Sequence, residues 1–99
     1  MERDIENYMR QEVVKMGGLF YKFTSPGNRG VPDRIAILPD GRVVFVELKT
    51  KEGRLSKLQK YQIKQLEKRN VMVFVVKGMD EVRRWLGEIR ATQLSDQGD

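Results

Sequence analysis

The sequence predicts an α/β domain in which helices flank one mixed four-stranded sheet. Amphipathic helical patterns occur at both ends of the chain, and short apolar runs typical of strands lie between them. A further helical segment separates the third apolar run from the fourth, so the predicted order is α-β-β-β-α-β-α. Because a helix joins the last two strands, they should be parallel and connected by a right-handed crossover.

The first half of the chain should supply one helix and three strands. Apolar residues recur at helical spacing over residues 3–16, and Gly17-Gly18 should end that helix. The glycine-rich residues 24–30 should form a loop. Pro39-Asp40-Gly41 should form a three-residue hairpin, because proline suits the first turn position and glycine the left-handed one. The three predicted strands are residues 19–23, 34–38 and 43–48.

The second half should supply two helices and the fourth strand. Ser56 is the predicted N-cap of a helix that runs to about residue 69. Residues 71–76 form an apolar run typical of a buried strand. Asp80 should open the last helix, whose Trp85, Leu86 and Ile89 form either a dimer surface or a face packed on its own sheet. We expect the domain to span residues 1–91 and residues 92–99 to form a flexible polar tail.

Composition narrows the chemistry. The 99 residues include no cysteine and no histidine, which excludes disulfides, thiolate metal sites and hydrolase mechanisms built on a histidine. Any bound metal should be a hard ion held by oxygen, such as magnesium or manganese. The formal charge of +5 favours an anionic partner, nucleic acid first. The charged N-terminus predicts no signal peptide and no membrane span, and therefore a cytoplasmic location.

Two acidic residues and a lysine should meet on adjacent strands. Alternation along the third strand places Glu47 and Lys49 on one face. If the three-residue hairpin sets the register, Leu38 pairs with Arg42 and Asp33 then lies opposite Glu47. Directly paired residues have Cβ atoms about 4.5–5.5 Å apart. Because such carboxylates repel each other, Lys49 and a divalent cation should offset their charge.

This group of residues can hydrolyse a phosphodiester without histidine. The cation would lower the pKa of water and neutralise charge on the phosphate, while Lys49 holds the attacking water or stabilises the transition state. The alternative is an exposed Glu47–Lys49 pair beside an ordinary Asp33. The apolar run of residues 43–48 favours the functional interpretation, because a carboxylate inside a central strand is costly unless it is paired or metal-bound.

These residues also resemble a known family. Pro32-Asp33 followed by Glu47-Leu48-Lys49 has the form of the PD-(D/E)xK nuclease signature. From about Ile5 to Val76 the chain resembles the VRR-NUC family, the virus-type replication-repair nucleases. The resemblance implies a restriction-endonuclease-like core and magnesium- or manganese-dependent cleavage of branched DNA, especially four-way (Holliday) junctions, by a homodimer. The segments that carry it are Gly17-Gly18-Leu19, Lys22-Phe23, Ser25-Pro26-Gly27, Gly30-Val31-Pro32-Asp33-Arg34 and Leu55-Ser56-Lys57-Leu58-Gln59.

The resemblance also implies roles for single residues. Asp33, Glu47 and the main-chain carbonyl of Leu48 would bind the metal, Lys49 would be the catalytic lysine, and Gln59 would lie near the site. The family adds a glutamate from the first helix. Glu6 fits that pattern best, with Glu2 and Glu12 left open, and each of the three can instead be an ordinary solvated helix residue.

Basic residues around this site are predicted to contact DNA phosphates. The alternatives are a solvated helix face for the lysines and a structural ion pair for Arg34. The rival functions are a DNA-binding module that does not cut, and a nuclease for flaps or RNA. The predicted contact residues are Arg29, Arg34, Lys51, Arg54, Lys57, Lys60 and Lys64.

Overall fold

The predicted order of elements is confirmed. A computed structural model describes residues 2–97, with side chains described as far as residue 93. The sheet order is β1-β2-β3-β4, with two antiparallel pairs followed by the predicted parallel pair. The elements are α1 (Glu2–Lys15), β1 (Leu19–Lys22), β2 (Arg34–Ile37), β3 (Val43–Lys49), α2 (Lys57–Glu67), β4 (Val73–Lys77) and α3 (Gly78–Gln97).

Helices α1 and α3 pack on one face of the sheet and form the core with it. Trp85, Leu86 and Ile89 of α3 are buried there, and the Trp85 ring meets the Phe74 ring edge-on at a centroid distance of 5.7 Å. The possibility that these three residues form a dimer surface is therefore wrong. They pack on their own sheet because alternation along β4 turns Phe74 and Val76 toward them.

The opposite face, here called the open face, is covered much less. Helix α2 contacts β4 on this face and buries Ile63. Leu19, Tyr21 and Val43 lie on the same face toward β1 and stay about half exposed. Side chains of β3 at odd-numbered positions lie on this face, because the even-numbered Val44, Val46 and Leu48 are in the core. Glu47 and Lys49 therefore lie on the open face.

The hairpin between β2 and β3 has the predicted three-residue form. The Leu38 N–H donates to the Arg42 carbonyl at 2.8 Å, and the Gly41 N–H donates to the Leu38 carbonyl at 2.8 Å. Gly41 has φ +92°, the left-handed conformation that favours glycine. Since this corner sets the pairing of β2 with β3, it also decides which residues face each other at the far end of the two strands.

Helix α3 is longer than predicted. It continues to Gln97, so residues 92–97, which were predicted to begin a tail, are helical. The Gln93 side chain is buried, and its Nε2 donates to Asp40 Oδ2 at 3.1 Å, which ties the helix to the hairpin. Residues 98 and 99 of the predicted tail lie outside the described residues. No helix within residues 2–97 is both long and apolar enough to cross a membrane.

Candidate active site

The site starts from the register of β2 on β3. Arg34 pairs with Val46, so the preceding residue, Asp33, lies opposite Glu47 as predicted. The Asp33 carbonyl accepts a hydrogen bond from the Phe23 N–H at 2.8 Å, which extends the pairing of β1 with β2 beyond the strands. The Asp33 side chain is 61% exposed, whereas the Glu47 side chain is only 6% exposed. One acid therefore faces solvent and the other is enclosed.

Protein groups offset the charges of the two acids only in part, since Arg34 pairs with Asp33 and Lys49 lies beside Glu47. Burial raises the pKa of the Glu47 carboxyl, and the negative charge of Asp33 raises it further, while Lys49 opposes both effects. Lys49 Nζ lies 3.7 Å from Glu47 Oε2, which is a long ion pair. A cation beside the two carboxylates would relieve this imbalance. The donors are all hard oxygens, which suits magnesium or manganese rather than a soft metal.

Gln59 contacts the site through a capping box at the start of α2. Gln59 Oε1 accepts from the Ser56 N–H at 2.8 Å, and Ser56 Oγ accepts from the Gln59 N–H at 3.0 Å. Because the amide oxygen is used in this way, the amide nitrogen points to the sheet and donates to Glu47 Oε2 at 3.3 Å. Gln59 thus bonds the backbone of the helix cap and also contacts Glu47.

Arg34, which was predicted to contact DNA, lies buried on the core face of the sheet. It is 9% exposed, and its Nη2 lies 2.8 Å from Glu6 Oε2. Its Nη1 lies 2.8 Å from Asp33 Oδ1. The alternative, a structural ion pair, is confirmed. Alternation along β2 explains this, since Arg34 shares its face with the buried Ala36 and not with Asp33.

Glu6 is linked to Asp33 through Arg34, and its catalytic role stays a prediction. Both of its oxygens accept from guanidinium groups at 2.8 Å, one from Arg10 and one from Arg34. The hydrogen bond from Arg34 lowers the pKa of Glu6. Glu12 pairs with Lys15 and Arg90. Of the three candidate glutamates in the first helix, Glu2 is the one whose charge contributes to the raised pKa of Glu47, after burial and Asp33.

A metal at this site would need ligands beyond side chains. Within residues 2–97 no three acidic, cysteine or histidine side chains are grouped closely enough to hold an ion. The Leu48 side chain is buried in the core and has no ligand atom, so the predicted ligand role falls on its main-chain carbonyl. Such an incomplete set fits magnesium, which usually keeps several waters and accepts substrate phosphate as a ligand.

The other predicted DNA contacts are exposed. Arg29 lies in the 24–30 loop, and its carbonyl accepts from Gln62 Nε2 at 3.2 Å, which holds the loop against α2. Sequence reasoning missed Lys77, which pairs with Lys49 in the parallel register of β4 on β3 and so shares its face. Ending the predicted strand at residue 76 hid this lysine. The remaining predicted contacts, all of them exposed, are Lys51, Arg54, Lys57, Lys60 and Lys64.

The chain matches the VRR-NUC domain family over residues 20–80, a stretch that includes Asp33, Glu47, Lys49 and Gln59. It belongs to the VRR-NUC family. A solved structure described as a VRR-NUC domain superposes with a TM-score of 0.81 at 30% identity, covering 87% of this chain and 94% of that chain. The resemblance and the fold class inferred from the sequence are thereby confirmed, and this VRR-NUC chain is a nuclease domain.

One relative comes from a phage. Protein p44 of the Acyrthosiphon pisum secondary endosymbiont phage 1, whose name describes it as a candidate nuclease, is 56% identical over 48 residues. The match covers 48% of this VRR-NUC chain and 52% of p44, so it spans about half the length of the relative. The similarity therefore concerns part of each protein.

Proposed function

We propose that this VRR-NUC domain is a magnesium- or manganese-dependent endodeoxyribonuclease that cuts branched DNA, four-way junctions above all, as a homodimer. The observation that carries the proposal is the position of Asp33 opposite Glu47, one residue beyond the Arg34–Val46 pair of β2 and β3. Lys49 lies on the same face, 3.7 Å from Glu47, and Gln59 donates to the same carboxylate. Two facing acids beside a lysine suit metal-dependent phosphodiester hydrolysis, because the acids can hold the cation and the lysine can face the phosphate.

Each residue has a defined task in this mechanism. Asp33, Glu47 and the Leu48 carbonyl would hold the cation, which would supply positive charge at the phosphate and lower the pKa of water there. The Lys49 ammonium orients that water or stabilises the negative charge that develops on the phosphate. Gln59 is a positioning residue, because its amide holds the Glu47 carboxylate in place from the capped end of α2.

The test is cleavage of labelled four-way junctions with magnesium, with manganese and with a chelator. Asp33→Ala should keep DNA binding and lose cleavage by roughly a hundredfold or more, as for loss of a charge-stabilising group. Asp80→Ala is the control, since its side chain is 87% exposed on α3. Cleavage that survives the chelator or the Asp33 substitution would overturn the mechanism. Binding without any cleavage by the native chain would favour the non-cutting module.

Substrate choice is tested by competition. Unlabelled junctions should suppress cleavage of a labelled junction better than linear duplex, flap or RNA competitors of equal length. A flap or an RNA that competes best would replace the junction as the substrate. The expected site of action is the cytoplasm of a bacterial or phage-infected cell, because DNA and free magnesium are both present there.

Support for the homodimer comes from the open face near β1. Leu19, Tyr21 and Val43 are about half exposed, and Ile37 lies between Leu19 and Val43 in the register of the sheet. Contiguous exposed apolar groups commonly mark a protein interface. A second copy related by a two-fold axis would cover them and supply a second acidic pair for the opposite strand. Light scattering at several protein concentrations measures the assembly directly.

A further inference from the structure

A second group of basic residues lies on the open face beside the acidic pair. It forms a cleft of about 360 Å³, here called the basic cleft. Two apolar side chains form part of its wall, and among the described residues that line it there is no carboxylate. The lining residues are Arg54, Leu55, Lys60, Val75 and Lys77.

The register of β4 on β3 places this cleft next to the site. Val75 pairs with Glu47, and Lys77 pairs with Lys49. Paired residues on adjacent strands point to the same face, and adjacent strands are about 4.8 Å apart. Helix α2 forms the other wall, since Lys60 directly follows Gln59, the residue that donates to Glu47. The basic cleft therefore opens about one strand away from the acidic pair.

Three like charges converge in this cleft without protein partners. None of the ion pairs within the described part of the chain includes Arg54, Lys60 or Lys77. Like charges held close together repel, and an anion that enters gains attraction from all of them. A phosphate group suits the arrangement, because a guanidinium can bind two of its oxygens while the lysines act as point charges.

We propose that the basic cleft binds a phosphate of the DNA close to the one that is cut. This inference rests on the proposed function, which identifies the ligand as DNA. It adds Lys77 to the residues predicted to bind DNA. Because the cleft and the acidic pair are adjacent, a phosphate held in the cleft would fix how the strand lies across Asp33 and Glu47. Backbone contacts of this kind position DNA without reading its sequence.

The experiment compares Lys77→Met with Lys15→Met, which removes the same charge from an exposed position on the far side of the sheet. Both are made in an Asp33→Asn chain, so that junction binding is followed by fluorescence anisotropy without cutting. Lys77→Met should weaken binding about five- to tenfold and reduce the slope of log K against log salt by about one. Lys15→Met should leave the affinity and the slope unchanged.

Further variants protect the test from a folding artefact. Lys77→Arg should retain binding, and Lys60→Met, on the exposed face of α2, should weaken it as Lys77→Met does. Equal weakening for DNA with and without a 5′-phosphate identifies an internal phosphate, and weakening only for the phosphorylated DNA identifies a terminal one. If Lys77→Met and Lys60→Met both bind the junction with the same affinity as Lys15→Met, the proposal that the basic cleft binds phosphate is wrong. This result leaves metal-dependent cutting untouched, while a chain that binds through the cleft without cutting contradicts only the proposed function.

Discussion

The buried guanidinium of Arg34 joins the Glu6 carboxylate of α1 to the Asp33 carboxylate at the start of β2. Both contacts are 2.8 Å, and the Arg34 and Glu6 side chains are each 11% exposed. Taking such charges out of water is favourable only when they remain paired. Glu6 therefore contributes to the site through Arg34, which holds one oxygen of Asp33 and so orients the exposed acid.

Replacing Glu6 should therefore cost stability. Glu6→Gln leaves Arg34 buried with less compensating charge, and we expect the free energy of unfolding in urea to fall by about 2–3 kcal/mol. Glu67→Gln is the matched control, because Glu67 is exposed near the end of α2 and should change stability by less than about 0.5 kcal/mol. Equal losses from the two substitutions would show that the buried pair adds nothing.

The residues of the site differ in how far the sequence could predict them. Asp33 and Glu47 were predicted to face each other because the length of a hairpin turn fixes which residues of its two strands are paired. The observed register agrees with that prediction. The contacts of Arg34 and Glu6 could not be predicted in this way. Alternation gives the face of the sheet on which a side chain lies, but the partner that compensates a buried charge comes from another element, whose position depends on packing.

At the scale of elements, the 24–30 loop is held against α2 by a close approach of backbones. Gly30 has φ +87°, and a Cβ there would lie 2.8 Å from the Leu58 carbonyl carbon and oxygen. Gly27 has a similar φ of +81°, but a Cβ there would meet nothing within 4 Å. Substituting Gly27 therefore tests the cost of the backbone conformation alone. Substituting Gly30 adds the cost of a steric clash between the new Cβ and Leu58.

Alanine substitution at these two positions should give unequal losses. Gly27→Ala carries only the conformational penalty, about 1 kcal/mol, while Gly30→Ala should lose at least about 2 kcal/mol because the loop must also move from α2. Urea unfolding measures both. If the two variants are equally stable, the contact between Gly30 and Leu58 does not hold the loop. Junction cleavage should also fall further for Gly30→Ala, since Arg29 moves with the loop.

The β2–β3 corner is linked to α3 through Asp40. The Arg42 N–H, the Gln93 amide and the Arg42 guanidinium all donate to its carboxylate, and together they lower its pKa to about 2 from 3.8. A carboxyl whose pKa is lower in the folded chain stabilises the fold above its unfolded pKa. That contribution is lost as the pH falls from about 4 toward 2.

The Asp40→Asn variant should therefore be less stable than the native chain at neutral pH, and the difference should shrink as the pH approaches 2. Thermal unfolding of both proteins across this pH range measures the effect. A difference that stays constant with pH would show that the ionised carboxylate is not the stabilising form.

The elements themselves were predictable because each has a local signal, whereas the end of α3 was not. Most residues after 91 are polar, and a polar segment of this kind favours a tail. Gln93 overrides this preference, since its buried amide finds an acceptor on Asp40, 53 residues away along the chain. A polar residue that is buried by a distant partner gives no periodic pattern in the sequence.

At the scale of the whole molecule, the two faces of the sheet have separate tasks. Helices α1 and α3 close one face with the core, and the open face carries the acidic pair, the basic cleft and the exposed apolar residues beside β1. The described chain measures 40 × 31 × 19 Å and presents one pair of facing acids. Cutting two strands of a junction at once therefore requires a second copy.

Mixed dimers test this requirement. When native chain is mixed with an excess of Asp33→Asn chain, most native subunits should share a dimer with an inactive partner. Such a dimer can cut one strand, so a supercoiled plasmid with an extruded cruciform should be converted to nicked circles rather than linear molecules. The ratio of nicked to linear product on a gel measures the effect.

The matched control adds Asp33→Asn chain that also carries Tyr21→Glu, which places a charge on the exposed apolar residues beside β1. If these residues form the interface, this chain cannot join native subunits, and the ratio of nicked to linear product should stay close to that of native protein alone. Inactive chain of either kind would lower the total rate by competing for DNA, but only a shared dimer changes the ratio. If the chain that carries Asp33→Asn alone leaves the ratio of nicked to linear product unchanged, each subunit cuts independently. The homodimeric mechanism would then be wrong.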